Sequence, residues 1–211
     1  MIIHQTLSQF LSPQKIYTSP QNFNGELGLT LSIFMIESFP PHLGSYLRLI
    51  VASFRRGLTR RKKYDIIVLE YGIDRPGEMQ FLLSIARPHI GIITKLDKVH
   101  TQQFGDPDTL AHEELLMLKK TKHIVILNDE ESYCHTIAEK LKHTKEIFWY
   151  TTKKPEKTEI PEDNIVFSVY HAKIIKQRDQ IMSNFLCKIG KKRLEVTTNM
   201  VEHQNYGYIA V

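Results

Sequence analysis

Two short apolar runs set the pattern of this chain, Ile66 to Leu69 and Ile90 to Ile93; both are rich in β-branched residues, too short for a helix, and followed by polar positions. Each reads as a buried parallel strand. Between them, Pro76 and Gly77 open an amphipathic segment from Glu78 to Ala86 in which Met79, Leu82, Leu83 and Ala86 share one helical face. A strand, helix, strand unit is therefore expected. In open parallel sheets ligands collect at the carboxyl ends of the strands. Glu70 and the segment Lys95 to His100 emerge there, so a carboxylate and an imidazole are expected at one crevice.

The flanking pattern extends this arrangement. Ile2, Ile3, Thr6, Leu7 and Phe10 recur at helical spacing before Pro13, and Lys15 to Thr18 can form a short strand. Ser19 to Gly28 is a turn-rich loop leading into a helix from about Leu27 to Glu37, with Asn24 as its expected cap and Glu26 in its first turn. After Pro40 and Pro41 a helix carries Leu47, Ile50, Val51 and Phe54, followed by a basic loop from Arg55 to Lys63. Beyond Asp106 a helix is expected from Pro107 through Lys120, then a strand at His123 to Leu127, a helix at Glu130 to Lys142 and a strand at Ile147 to Tyr150. Such alternation is the sign of an α/β protein with a mostly parallel sheet covered by helices on both faces, three layers in all. Near Thr151 the character changes. A lysine- and proline-rich segment leads into three strand-like runs, Ile165 to Tyr170, Phe185 to Ile189 and Arg193 to Thr197, without helices between them, which predicts a small antiparallel flank. Residues 1–150 thus read as the α/β domain and 151–211 as its β-rich remainder.

Composition narrows the function classes. The 211 residues are 42% hydrophobic and 24% charged, enough for one globular domain or one and a half. No apolar run approaches the roughly 20 residues that span a bilayer, and the first residues lack the order of a signal peptide, so a cytoplasmic location is expected. Cys134 and Cys187 stand far apart, which suggests neither a disulfide framework nor a zinc site but two buried thiols. The net charge of +5 and pI near 9.1 raise a nucleic-acid reading. The basic clusters, such as Arg55 to Lys63, are accompanied by no RNA-binding aromatic signature and no recognition-helix pattern, so a small polyanionic ligand is the better match.

Four motifs in order, NFNGELG (Asn22 to Gly28), VLEYGIDRPGEM (Val68 to Met79), RPHIGIITKLDKVHTQQFGD (Arg87 to Asp106) and ILNDEE (Ile126 to Glu131), resemble the central ATP-binding domain of the Mur ligases. NFNGELG is most similar to the branch that adds D-alanyl-D-alanine to a UDP-muramoyl-peptide in peptidoglycan precursor synthesis. The resemblance implies a reaction in which ATP phosphorylates a carboxylate and an amine displaces phosphate from the acyl phosphate, with Mg²⁺ bridging phosphates and substrate. It implies that Glu70 and His100 ligate the metal, and that Asn22 and Asn24 face the phosphates and the reacting carboxylate. Lys95, where the family commonly has asparagine, would stand near the phosphates. Taken singly, Glu70 reads as a strand-end carboxylate in a surface ion pair and His100 as a satisfied polar histidine; the motifs together favour the metal site.

The departures from the pattern shape further expectations. The family's glycine-rich phosphate loop ending in GK[ST] is not in this sequence, which reads as starting after that loop, so the polypeptide alone is expected to be inactive. Where the family carries a carbamoylated lysine, this chain has LAHEELL, with Glu114 nearest the expected place as a substitute metal ligand and Glu113 adjacent. At the other end MVEHQNYGYIAV loosely resembles the segment that approaches the adenine and puts His203 on that side. The expected partners are the UDP-muramoyl-peptide and D-alanyl-D-alanine, with no nucleic acid, no membrane span and a monomeric full-length protein. Two other readings stay open: a noncatalytic remnant of the same fold, and a related ligase such as a folylpolyglutamate synthetase.

Overall fold

Strand β1 (Ile16–Thr18) runs parallel to β2 (Ile66–Val68), with Ile16 opposite Ile66 and Thr18 opposite Val68. The computed structural model describes residues 7, 12, 15–18, 23–36, 51, 64–96, 101–151, 165–177, 180–189 and 192–198. These fall in two units, Met1–Asp74 and Arg75–Val211. The expected helices around Ile2 to Phe10 and Leu47 to Phe54 lie outside the described residues, apart from Leu7 and Val51, both helical.

In the first unit Ile16, Tyr17, Phe23, Leu29 and Leu31 are buried. β2 is less covered than its apolar sequence suggests, since Ile67 is 41% exposed. A parallel strand is buried only where both its faces are covered, and alternation turns Ile67 to the uncovered one. Helix α1 (Glu26–Ile33) begins as expected with Glu26 in its first turn, but Gly25, not Asn24, is its N-cap, and no side chain caps it. It also stops four residues short of Glu37. The Met35 N–H donates to Ser32 O (3.0 Å) and the Ile36 N–H to Leu31 O (2.9 Å), while Met35 takes a left-handed φ of 58°. That pair of bonds satisfies the last carbonyls of the helix and turns the chain away from its axis.

In the second unit one sheet holds six strands in the order β3 (Ile90–Ile92), β4 (Ile124–Asn128), β5 (Glu146–Thr151), β6 (Ile165–Gln177), β7 (Gln180–Ile189) and β8 (Lys192–Thr198). β3 to β6 are parallel and β6 to β8 antiparallel. The change of character at Thr151 therefore marks no new sheet: β6 joins parallel to β5, and direction reverses only at the β6–β7 hairpin. Both hairpin strands are longer than the apolar runs suggested, because pairing continues from Lys173 opposite Asn184 to Gln177 opposite Gln180. Backbone hydrogen bonds hold that mixed polar and apolar stretch whatever its side chains.

Helix α2 (Glu78–Ile85) buries Met79, Leu82 and Leu83, as its spacing predicts. Among the described residues β2 pairs with β1 in the first unit and β3 with β4 in the second. Apolar periodicity identifies a strand but carries no information about its partner. β3 opens with Ile90 at 51% exposure and then buries Gly91, and Ile93 just beyond its end is buried as well. A single helix from Pro107 to Lys120 is replaced by two, α4 (Pro107–Glu114) and α5 (Leu116–Lys120), with Leu115 between them at ψ −12°. The bend leaves Leu110, Ala111, Leu115, Met117 and Leu118 all buried. The four-residue helix α3 (Thr101–Phe104) has no counterpart in the sequence reading, being too short to show a period; buried Phe104 anchors it. Asp106 caps α4, accepting from the Thr109 N–H (2.8 Å) and hydroxyl (2.7 Å). Those bonds lower its carboxyl pKa, so the cap is intact above the ordinary carboxylate range and weakens as pH falls through the lowered value.

Helix α6 (Ser132–Leu141) packs Cys134, Ile137, Ala138 and Leu141 inward beside β4, where Val125 and Leu127 are fully buried. Burial pushes the Cys134 thiol up to about 12, which leaves it neutral at ordinary pH. In a Cys187→Ser background the native protein is expected to resist thiol-directed reagents at pH 8 and to react fully once unfolded. Rapid labelling without denaturant would contradict this packing.

Candidate functional site

The first unit brings two of its motifs into contact. Glu70 follows β2, exposed, and its Oε1 accepts a long hydrogen bond from Asn24 Nδ2 at 3.5 Å. The backbone ties the same two stretches together, with the Gly72 N–H donating to Asn24 O at 2.9 Å. Asn24 is thus not the helix cap that its position before α1 suggests. Its side chain is turned across to the strand end, and two glycines permit that. A Cβ on Gly72 would stand 2.8 Å from Asn24 Cγ and Nδ2, and a Cβ on Gly28 would stand 2.7 Å from Phe23 Cα. The loop from Phe23 to Gly25 is held between them. Tyr71, beside Glu70, is raised by burial to about 12, so its phenol is a neutral hydrogen-bonding group and no base.

In the second unit the segment after β3 is pinned from three elements. Asn128, at the end of β4, donates through Nδ2 to Thr94 O at 2.9 Å and accepts the Glu130 N–H on Oδ1 at 3.0 Å. The single O–H of Tyr150 on β5 is shared between Ile93 O (3.0 Å) and Thr94 O. Glu131, the residue before α6, accepts the Leu96 N–H on Oε1 at 3.3 Å. Backbone that leaves a ladder must find partners elsewhere, and here side chains from the neighbouring strand ends supply them. Lys95 sits exposed within this pinned segment.

A second loop of that unit is held similarly. Gly77 caps α2 at φ 90°, its N–H donating to Glu113 Oε1 at 2.8 Å, and the Arg75 N–H donates to Glu78 Oε2 at 2.9 Å. Glu113 therefore anchors the RPGE turn, and Glu114 is the half-buried residue beside it on α4. The Tyr133 hydroxyl donates to Asp108 Oδ1, joining α6 to the start of α4.

Of the residues singled out from sequence, Glu70 and Asn24 meet, while Lys95 and Glu114 are placed as described. Asn22, His100 and His203 lie outside the described residues. The sequence reading assigned no role to Asn128, Glu131, Tyr150 or Glu113. Asn128 and Glu131 lie in the ILNDEE motif, which was signal enough to mark them. Tyr150 reads only as one more apolar strand residue, and its hydroxyl gives no sign in the pattern.

The donor set suits a magnesium nucleotide: an exposed carboxylate offers hard oxygen, and an amide beside it can hold a phosphate or carboxylate oxygen. In open α/β sheets ligands bind at the carboxyl ends of the strands, the ends after which Glu70 and Lys95 stand in their respective units. Residues 48–206 match the Mur ligase middle domain, and the chain belongs to that family. It is 28% identical over 120 residues to the UDP-N-acetylmuramoyl-tripeptide–D-alanyl-D-alanine ligase of Borreliella burgdorferi, covering 57% of this chain and 21% of that protein. To the protein of the same name in Treponema pallidum it is 25% identical over 125 residues, covering 59% and 22%. Among solved structures it superposes on MurF from Acinetobacter baumannii with a TM-score of 0.67 at 16% identity, covering 97% of this chain and 36% of that one. MurF ligase from Thermotoga maritima in complex with ADP gives 0.64 at 15%, covering 99% and 40%. These solved structures share the fold. The chain spans about a fifth of the length of the curated relatives it matches.

Proposed function

We propose that this chain is the ATP-handling part of a ligase that joins D-alanyl-D-alanine to a UDP-muramoyl-tripeptide in the cytoplasm. The contact between Asn24 and Glu70 carries the reading, because it brings two separate family motifs together with a metal-suited oxygen at its centre. Mg²⁺ bound there would offset phosphate charge during formation of the acyl phosphate. Glu70 would hold the cation, and Asn24, with Asn22, would orient the phosphate or carboxylate oxygen. Lys95, exposed on its pinned segment, would attract the polyanion. His100 would join the metal, with Glu114 as a further oxygen ligand and His203 towards the adenine. The full-length protein would act as a monomer.

The test is a chimaera in which the terminal segments of the Thermotoga maritima ligase flank this chain. Expected is phosphate release that requires ATP, Mg²⁺, UDP-muramoyl-tripeptide and D-alanyl-D-alanine together. Release stimulated instead by a folate and glutamate would move the chain to the folylpolyglutamate synthetases. A folded chimaera that turns over nothing would favour a noncatalytic remnant.

A further inference from the structure

Three turns meet at the amino-terminal ends of β3, β4 and β5, opposite the strand ends that carry Lys95 and Asn128. The Lys122 N–H donates to Pro88 O (2.9 Å) and the His123 N–H to His89 O (3.1 Å), tying the turn before β3 to the turn before β4. The Glu146 N–H donates to His123 O (3.1 Å), and Lys145 Nζ reaches the carbonyls of Thr121 and Lys122, which ties in the turn before β5. The segments 87–89, 119–123 and 139–146 therefore form one surface.

That surface is strongly basic. Its sixteen residues include seven Lys or Arg against two Glu, an excess of five that equals the formal net charge of +5 and leaves the rest of the sequence balanced. Arg87, Lys119, Lys120 and Lys122 are exposed. One of the two carboxylates, Glu139, is already paired with Lys142 at 2.5 Å. Lys122 Nζ lies 3.3 Å from His89 Nε2, which can only accept there, and the His89 ring lies 5.8 Å from that of His123. The backbone bonds hold the three turns together, so their lysines and arginine share one face, and a face of that charge attracts an anionic surface.

We infer that this end of the sheet docks peripherally on an anionic lipid surface. Ile90, 51% exposed next to His89, favours lipid over nucleic acid. A headgroup interface accepts lysines together with an apolar side chain. A nucleic acid rewards stacking rings or a helix in a groove, and an exposed aliphatic side chain such as Ile90 supplies neither. No helix among the described residues is long and apolar enough to cross a membrane, so the contact is with the surface. Each cation contributes roughly fivefold to partitioning at low salt, and the contribution fades as the Debye length shrinks to about 3 Å near 1 M salt.

The test is flotation of the 211-residue chain with phosphatidylcholine vesicles, with or without one-third phosphatidylglycerol; flotation separates bound protein from aggregate. Binding is expected only with phosphatidylglycerol and is expected to be lost at high salt. Lys119→Glu, Lys120→Glu and Lys122→Glu combined should weaken it by more than about tenfold. The same three positions changed to Gln should weaken it less. Reversing Arg60, Arg61 and Lys62 changes the net charge equally and should leave most of the binding. Equal loss from the two reversed triplets would overturn the inference, since net charge alone would then explain binding. So would equal binding to both vesicle types, or binding to duplex DNA without binding to vesicles.

Discussion

Glu70→Gln in the chimaeric ligase is expected to cut turnover by more than about tenfold, a loss of at least roughly 1.4 kcal/mol of transition-state stabilisation, without lowering the melting temperature. Glutamine keeps the volume and can still meet Asn24, but it withdraws the charge that would hold the cation. The native contact is long, at 3.5 Å, and its acceptor is exposed. A polar contact of that kind contributes about 0 to 1 kcal/mol to stability. The two roles therefore separate cleanly: a fold that is unchanged and a rate that collapses. His100→Ala should also slow turnover, and the double variant should lose less than the two single losses combined, because both residues would serve one ion. Steady-state rates across a magnesium titration make the measurement. If both variants keep wild-type turnover and magnesium dependence, Glu70 is a surface carboxylate and the resemblance extends to fold alone.

Asn128→Ala is expected to produce the largest loss of stability among the residues near the candidate site, about 2 to 4 kcal/mol. It leaves the Thr94 carbonyl short of one donor and the Glu130 N–H without its acceptor, and each such loss at a part-buried position costs about 1 to 3 kcal/mol. For a chain of this size that corresponds to a drop of several degrees in Tm, at about 2 to 4 °C per kcal/mol. Tyr150→Phe keeps the ring, which is 1% exposed, and removes only the hydroxyl, so a smaller cost of about 1 kcal/mol is expected. Both side chains end on the same carbonyl, Thr94 O. The double variant should accordingly deviate from additivity by about 0.5 kcal/mol or more. Chemical denaturation of the four proteins settles it: strictly additive losses would mean that the two side chains do not share the segment after β3.

The contrast between Asn128 and Tyr150 shows what a sequence discloses. Periodicity found β4, β5 and α6 to within two residues at each end, because burying one face of a helix or both faces of a strand leaves a repeating signature. It missed the bend at Leu115, since both halves of that helix keep apolar residues inward and the pattern runs on across it. It put Asn24 in the wrong job for a related reason: the local signal for a cap is real, and a partner 46 residues away outweighs it. The candidate site was legible in part. Glu70 stands where an apolar run ends, whereas the hydroxyl of Tyr150 is hidden in a ring that the pattern counts as apolar. The order of strands was not legible at all, since no side-chain period encodes a neighbour.

The clearances at Gly28 and Gly72 also set rules for recombining this domain with its relatives. The stretch after β2 is cut to fit the loop before α1, with Gly72 facing Asn24, while Gly28 within α1 faces Phe23 of the same loop. A crossover placed between residues 28 and 72 takes the two halves of that fit from different parents. If the second parent has a side chain at position 72, the inherited asparagine loses its room, although every residue of the loop has been copied faithfully. Crossovers before Phe23 or after Gly72 move both halves together and keep the fit.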